Sequence, residues 1–398
     1  MMFELLLQKN NKRIGKLHTK SGVIETPFFM PIATKGAVKN VSPEDLIAVG
    51  AQIVLGNTYH LWLRPGDELI AKAGGLHKFM NWDGPILTDS GGYQVFSLGA
   101  RAKEKYGSSG VSLAEKGVSF IDPINGSKHF MSPEKSIDIQ LNLGSDMIMV
   151  LDECPPFPCS HEDAKKSLEL TTRWAARCFK HFHKKVAENS EKYVKGRPLL
   201  FCIVQGSIYE DLRKESVHQL MNLDFSALGG PLSGWDGYAI GGVAVGEPRK
   251  HLYDILQWVV PFLPVDKPRY LMGLGKPEEL VAAVEAGMDM FDCVIPTREG
   301  RHGRLFQWKR ISNFQFPISN DKECVDLQSD FYETININNE QFKEDFTPID
   351  SQCDCYTCKN FTKAYLNHLL RTDEPFFLKL ASVHNLRFYH KLMELLRK

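Results

Sequence analysis

No run of apolar residues reaches the ~20 positions that a membrane-spanning helix requires. The opening MMFELLLQKNNKR also has no basic stretch ahead of an apolar core, the mark of a secretory signal. Net charge is missing too, since 48 lysines and arginines stand against 48 aspartates and glutamates. A neutral chain is not a uniformly basic nucleic-acid binder, so any RNA or DNA contact must be made by a local patch. There is no repeat of fixed period and no low-complexity tract, which removes solenoids and disordered tails. The nine cysteines are an odd number, and three of them cluster at 353–358 rather than spreading as a disulfide framework. These absences point to a cytoplasmic globular protein, in which clustered cysteines read as metal ligands.

What positive charge there is gathers behind one apolar run. Phe291-Asp292-Cys293-Val294-Ile295 carries an acid inside a strand-like segment, and Arg298, Arg301, Arg304, Lys309 and Arg310 follow, with His302 among them. A carboxylate is expensive to bury unless something offsets it. The bland reading is a salt-bridged acid beside a solvated face; the sharper one is a site beside a polyanion-binding patch.

A recurring unit fills most of the chain: a short apolar run, a polar or glycine-rich end, then a helical stretch. The strand candidates are residues 27–34, 53–60, 85–92, 147–153, 199–206, 238–246, 269–275 and 290–297. Helices are expected after Val41, from Ser132, from His161 and from Lys276, several opening on Ser-Pro or Lys-Pro followed by Glu and closing at glycine. Eight alternating units suit either a doubly wound sheet or a (β/α)8 TIM barrel. The polar residues decide between them. Asn57, Asp89, Asp152, Gln205, Gly242, Gly273 and Asp292 each fall at the end of an apolar run, and only a barrel gathers all such ends at one mouth. The fold class expected is therefore α/β, a TIM barrel over residues 1–310.

Three further parts are expected. Residues 3–26 alternate apolar and polar around Asn10-Asn11 and Ser21-Gly22, an N-terminal hairpin or meander. Residues 99–130 are too long for a βα loop and form an excursion over the mouth. Residues 311–384 form a metal-binding subdomain, followed by a closing amphipathic helix at 385–398 in which Leu386, Tyr389, Leu392, Met393 and Leu396 keep helical spacing. The stretch 228–237 looks like a short insertion ahead of the sixth strand, away from the mouth.

Cys353-Asp-Cys355-Tyr-Thr-Cys358 offers three thiolates within six residues. One more ligand, from His368, His384 or Cys324, completes a closed tetrahedral zinc site, which is structural because no position stays open. At Asp89-Ser90-Gly91-Gly92-Tyr93 an acid is followed by bare backbone and an aromatic face; a capped tight turn is the plainer alternative. Asp152-Glu153-Cys154, Gln205-Gly206 and Gly241-Gly242 add acids, an amide and open backbone. Three acids on three strand ends, with amides and glycines between them, describe a pocket for a small planar molecule that makes hydrogen bonds.

These residues, in LTDSGGYQV (87–95), LDEC (151–154), VQGS (204–207), AIGGVAVGE (239–247), YLMGLGKPEE (270–279), MFDCVIPTR (290–298) and CDCYTC (353–358), resemble the tRNA-guanine transglycosylases. The matches run from about Thr26 to the C-terminus in order and spacing. The resemblance implies exchange of the wobble guanine (position 34) of G-U-N anticodon tRNAs, those for Asp, Asn, His and Tyr, for a 7-deazaguanine precursor of queuosine. It makes Asp292 the nucleophile of a covalent aspartyl-ribosyl intermediate and Asp89 the proton acceptor and donor. Asp89, Tyr93, Asp152, Cys154, Gln205, Gly241, Gly242, Val243, Glu247, Met272 and Gly273 would bind the base. Arg298, Arg301, Arg304, Lys276 and Asn57 would meet the RNA. Cys353, Cys355, Cys358 and His384 become the ligands of one structural zinc, and a homodimer is implied.

Two details favour the bacterial type: Cys154 after Asp-Glu, and Val245 where eukaryotic members that take the bulkier queuine have glycine. A branched side chain there leaves room only for an aminomethyl group, which Glu247 would receive, so preQ1 is the expected base. Val243 departs from the leucine usual in bacterial members, at a position read through its backbone. A non-catalytic tRNA-binding partner subunit is the alternative, but such a chain would be expected to lose Asp89 or Asp292. A barrel metallohydrolase lacks its histidine pair at the strand ends.

Overall fold

The computed structural model describes residues 2–97, 110–194, 196–232, 234–243, 245–309, 327 and 330–398. Arg310, Cys324 and the 99–109 part of the expected excursion lie outside them.

The eight apolar runs form the barrel. Pro31, with no N–H for the ladder, splits the first barrel strand into Phe28–Met30 and Ile32–Ala33. The second to eighth are Val54–Gly56, Ile86–Thr88, Met147–Met149, Leu199–Val204, Gly237–Ile240, Arg269–Leu271 and Met290–Asp292. Neighbours pair in parallel, and the eighth returns to the first with Phe291 opposite Phe29 and Asp292 opposite Met30. Every one of these strand residues except Ile32 is buried. Burial on both faces is why the runs read as continuously apolar rather than alternating.

The expected helix starts are borne out in their chemistry. Ser42 and Asp45 form a capping box at Pro43–Ala48. Ser132 caps Pro133–Leu143, which ends on Gly144 in the left-handed region, and Ser160 caps His161–Glu188.

The floor of the barrel uses a repeated device. Asp146, Asp236 and Asp289 each stand one residue before an even-numbered barrel strand, and each accepts a main-chain N–H from the preceding odd-numbered one. The donors are Ile86 at 2.8 Å, Leu200 at 2.9 Å and Arg269 at 2.8 Å. Partners reach these acids from outside the barrel wall: the His77 ring to Asp146, the Arg197 guanidinium to Asp236, and the Arg13 guanidinium to Asp289. Arg13 belongs to the N-terminal meander, three antiparallel strands Phe3–Lys9, Lys12–Thr19 and Gly22–Thr26. The meander is thereby tied beneath the barrel, far from the mouth.

Between the third barrel strand and the helix Pro133–Leu143, Val111–Ala114, Gly117–Ile121 and Lys128–Met131 make a small antiparallel sheet. Trp174 Nε1 and Arg177 Nη1 both donate to the Glu115 carbonyl at 2.8 Å, holding its first hairpin on the long helix.

The 228–237 stretch ends in the core: Trp235 is fully buried against Phe179 and Phe225, Asp236 is a floor acid, and Gly237 opens the sixth strand. One expectation needs correcting. The closing helix is longer than its periodicity suggested, running Phe376–Leu396. Its first half, FFLKLASVHNL, packs on several sides, so it shows no apolar stripe. His384 therefore lies in the middle of this helix rather than ahead of it.

Candidate active site and metal centre

Asp292 is the last residue of the eighth strand and is 7% exposed. Its Oδ1 accepts from the Tyr270 hydroxyl at 2.6 Å and from the Gly273 N–H at 2.8 Å. Both bonds land on one oxygen. Burial raises its pKa above the usual carboxylate range, opposed by those two donors. Gly273 was expected as a pocket wall; its N–H holds the acid as well. Tyr270 went unnoticed in the sequence because its partner lies on the neighbouring strand, though two-residue spacing from Met272 does turn both toward one side.

Asp89 follows the third strand directly. Asn57 Nδ2 donates to its Oδ2 at 2.5 Å and the Thr58 N–H to its Oδ1 at 2.9 Å. Burial pushes this carboxyl up to about 7 against the Thr58 and Gly91 amides, and the charges of Asp292 and Asp152 push the same way. Asn57 is 4% exposed, and its Oδ1 accepts from His60 N at 3.0 Å, capping Thr58–Leu63. Its side chain is used on both sides, so it orients Asp89 rather than standing at the surface with the exposed basic residues.

Asp152, 5% exposed, sits three residues past the fourth strand. It accepts from Ser90 Oγ at 3.0 Å and from Gln205 Nε2 at 2.7 Å. Gln205 Oε1 is buried with no hydrogen-bond partner among the described residues. A buried acceptor left open in this way invites a ligand donor. Gly242 lies against it: a Cβ there would come within 2.4 Å of Gln205 Oε1, and φ is +60°, so only glycine fits. Cys154 is buried and its thiol pKa is raised by burial, so it stays neutral. Tyr93 is 47% exposed, and Glu247 Oε2 accepts the Val245 N–H at 2.9 Å.

One residue that the sequence reading passed over binds this end of the barrel together. Arg213, on the helix Glu210–Met221, is fully buried and donates to the carbonyls of Val204, Ser207, Gly241 and Gly242. The signal was available: Arg213, Ser216, Val217 and Leu220 occupy i, i+3, i+4 and i+7, the core-facing stripe.

Beside the mouth lies a cleft of about 640 Å³ whose lining includes Arg249, Lys276, Arg298, Arg304 and Lys309. Lys276, Arg298 and Arg304 are exposed, whereas Arg301 is part-buried and its Nη1 has no hydrogen-bond partner among the described residues. The basic run is thus brought next to the strand end that carries Asp292.

The ligand atoms of Cys353, Cys355, Cys358 and His384 lie within 4.8 Å of one another. His384 Nδ1 is 3.7, 3.7 and 3.3 Å from the three sulfurs in turn. Tetrahedral zinc, with bonds near 2.3 Å to sulfur and 2.05 Å to nitrogen, needs about 3.6 Å. His384 Nε2 is 2.6 Å from the Phe306 carbonyl, which can only accept. The ring proton is therefore on Nε2 and the Nδ1 lone pair faces the thiolates, as a metal-binding imidazole requires. His368 is not part of the group. Zinc bound there would hold the cysteine loop to the closing helix.

A sequence model of the family described as queuine tRNA-ribosyltransferase matches residues 8–398. The chain is 48% identical to the queuine tRNA-ribosyltransferase of Tolumonas auensis, over all of this chain and 93% of the relative. It is also 48% identical to proteins of that name from Psychrobacter cryohalolentis, over 97% of this chain and 88% of the relative, and from Vibrio cholerae, over 100% and 92%.

Proposed function

The chain belongs to the queuine tRNA-ribosyltransferase family and is a tRNA-guanine transglycosylase, and from that premise we propose that it exchanges the wobble guanine of G-U-N anticodon tRNAs for preQ1 through a covalent aspartyl-ribosyl intermediate. The observation that carries this reading is the contrast between two acids at one mouth. Asp292 has both hydrogen bonds on Oδ1, which leaves Oδ2 to attack. Asp89 sits near 7, where it can both give and take a proton.

The target nucleotide leaves its stack to enter the pocket. Asp292 Oδ2 bonds to ribose C1′ as the C1′–N9 bond breaks, the electron pair departs on guanine, and Asp89 donates the proton that neutralises it. The incoming base then attacks C1′ through N9, gives its N9 proton to Asp89, and displaces the Asp292 carboxylate. Two inversions give retention, the logic of retaining glycosidases. Tyr93 stacks on the base; Asp152, Gln205 and the Gly242 amide read its edge beside Cys154, Gly241 and Val243; Met272 and Gly273 close the other side. Lys276, Arg298, Arg301 and Arg304 take the anticodon backbone. We extend the reading to a cytoplasmic homodimer with one structural zinc per chain.

Because Asp89 must start protonated, adduct formation with excess enzyme should fall about tenfold per pH unit above about 7. It should fall again at lower pH as Asp292 takes up a proton. A rate that rises steadily through pH 8 removes Asp89 from the acid role. Val245→Gly should move the queuine/preQ1 preference by about tenfold or more toward queuine, the scale for steric selection in a pocket; an unchanged ratio sinks the steric argument for preQ1. The reading as a whole is tested by incorporating labelled guanine into tRNA-Tyr transcripts with G or A at position 34. Incorporation into the G34 transcript alone supports it, and none by folded, zinc-loaded protein overturns it.

A further inference from the structure

Arg213 is a buried cation with no carboxylate at ion-pair distance among the described residues. Its four hydrogen bonds all run to main-chain carbonyls: Nε to Ser207 at 2.7 Å, Nη1 to Val204 at 3.0 Å and to Gly241 at 2.7 Å, and Nη2 to Gly242 at 2.9 Å. Burying a guanidinium that forms no ion pair is costly: burial lowers the Arg213 pKa even with the Glu247 charge acting the other way, and simpler side chains can close a helix against a strand.

The geometry of the peptide group shows what this arrangement does. In a planar trans peptide the C=O and the following N–H point in opposite directions. Arg213 reaches in from the helix layer and draws the Gly241 and Gly242 carbonyls outward. The N–H groups of Gly242 and Val243 must then point away from the helix layer, toward the mouth. Two consecutive donors are fixed there beside Gln205, whose amide holds Asp152 on the other side. Gly206 lets the helix come this close, since a Cβ there would lie 2.7 Å from Arg213 N.

We propose that Arg213 is a positioning residue for base selection: by holding the Gly241 and Gly242 carbonyls it fixes the Gly242 and Val243 amides as donors that accept a 6-oxo base and reject a 6-amino one. This rests on the transglycosylase reading. An aligned pair of N–H donors meets a carbonyl oxygen well, while an amino group at that position leaves them unsatisfied, and buried mismatches of this kind give large discrimination.

The test compares wild type with Arg213→Lys and Arg213→Gln. Inhibition constants are measured for guanine and 2,6-diaminopurine against labelled guanine exchange, alongside KM for tRNA and the melting temperature. Lysine keeps the charge but cannot span four carbonyls. The expected result for Arg213→Lys is a guanine constant raised about tenfold or more, a guanine/diaminopurine ratio compressed about tenfold, and an unchanged KM for tRNA. A lower melting temperature with an unchanged ratio makes Arg213 a structural strut and overturns the proposal. If Arg213→Gln does not fold, the lysine variant decides alone. Absence of exchange by the wild type fails the transglycosylase reading instead, and direct calorimetric binding of guanine against diaminopurine to the same variants then tests the inference; equal ratios in wild type and Arg213→Lys overturn it.

Discussion

Asp292→Asn is expected to abolish the covalent RNA adduct and to lower base exchange by about 10⁴-fold or more, the scale on which losing a nucleophile acts. The melting temperature should hold or rise. The amide oxygen can still accept from Tyr270 and from the Gly273 N–H, which now meet Oδ1, so the strand end keeps its partners. The neutral amide cannot displace a purine. Burial also raises the Asp292 pKa, so over a window above the ordinary aspartate value the native chain holds a proton that the unfolded chain has lost. Wild-type stability therefore falls as pH rises through that window. The variant has no such dependence, and its advantage should be larger at pH 8 than at pH 5. Denaturing gels of enzyme with labelled tRNA, beside melting curves at both pH values, check the two halves together. An adduct trapped by the variant would overturn the assignment.

The barrel was legible because the polar residues that interrupt its apolar runs gather at the C-terminal ends of the strands. Asp89, Asp152, Gln205 and Asp292 each follow or end buried strand residues, so the polar residues themselves marked the mouth. What the sequence hid depends on contacts across the fold. Asn57 looks the same whether it faces a ligand or a neighbouring acid; only the pairing of Val54–Gly56 with Ile86–Thr88 puts it on Asp89. Tyr270 passed as apolar filler because register across the seventh and eighth strands, not spacing, sets its hydroxyl on Asp292. Arg213 stands among charges in EDLRKES and reads as a solvated residue unless the helical period is followed through to Leu220. The floor acids were hidden for a related reason: an aspartate just before an apolar run resembles a turn residue, and its backbone partner lies 20 to 60 residues away.

Cys355→Ser should strip the chain of its zinc, from one per chain to near none by metal analysis, and weaken tRNA binding before it weakens base binding. A structural zinc contributes on the order of 10 kcal/mol to folding of its segment, and a serine hydroxyl is a poor substitute for a thiolate. The route to the proposed RNA contacts runs through the closing helix. His384 Nε2 donates to the Phe306 carbonyl, and the next residue, Asn385, donates to the carbonyls of Pro296 at 2.9 Å and Arg304 at 3.0 Å while accepting from Phe306 N. One turn later Tyr389 donates to the Gly275 carbonyl, beside Lys276. The segments that display Lys276, Arg298, Arg301 and Arg304 are thus clamped by the helix that a bound zinc would tie down. The pocket made by Asp89, Asp152 and Gln205 stands on other strands and does not use that clamp. KM for tRNA should therefore rise about tenfold or more, as phosphate contacts lose their fixed places, with KM for guanine nearly unchanged in the molecules that stay folded. Chelation of the wild type under native conditions should reproduce the split. Equal losses in both constants would mean that the metal supports the whole barrel, and a zinc-free variant with an unaltered tRNA constant would sever the link between the metal and the RNA face.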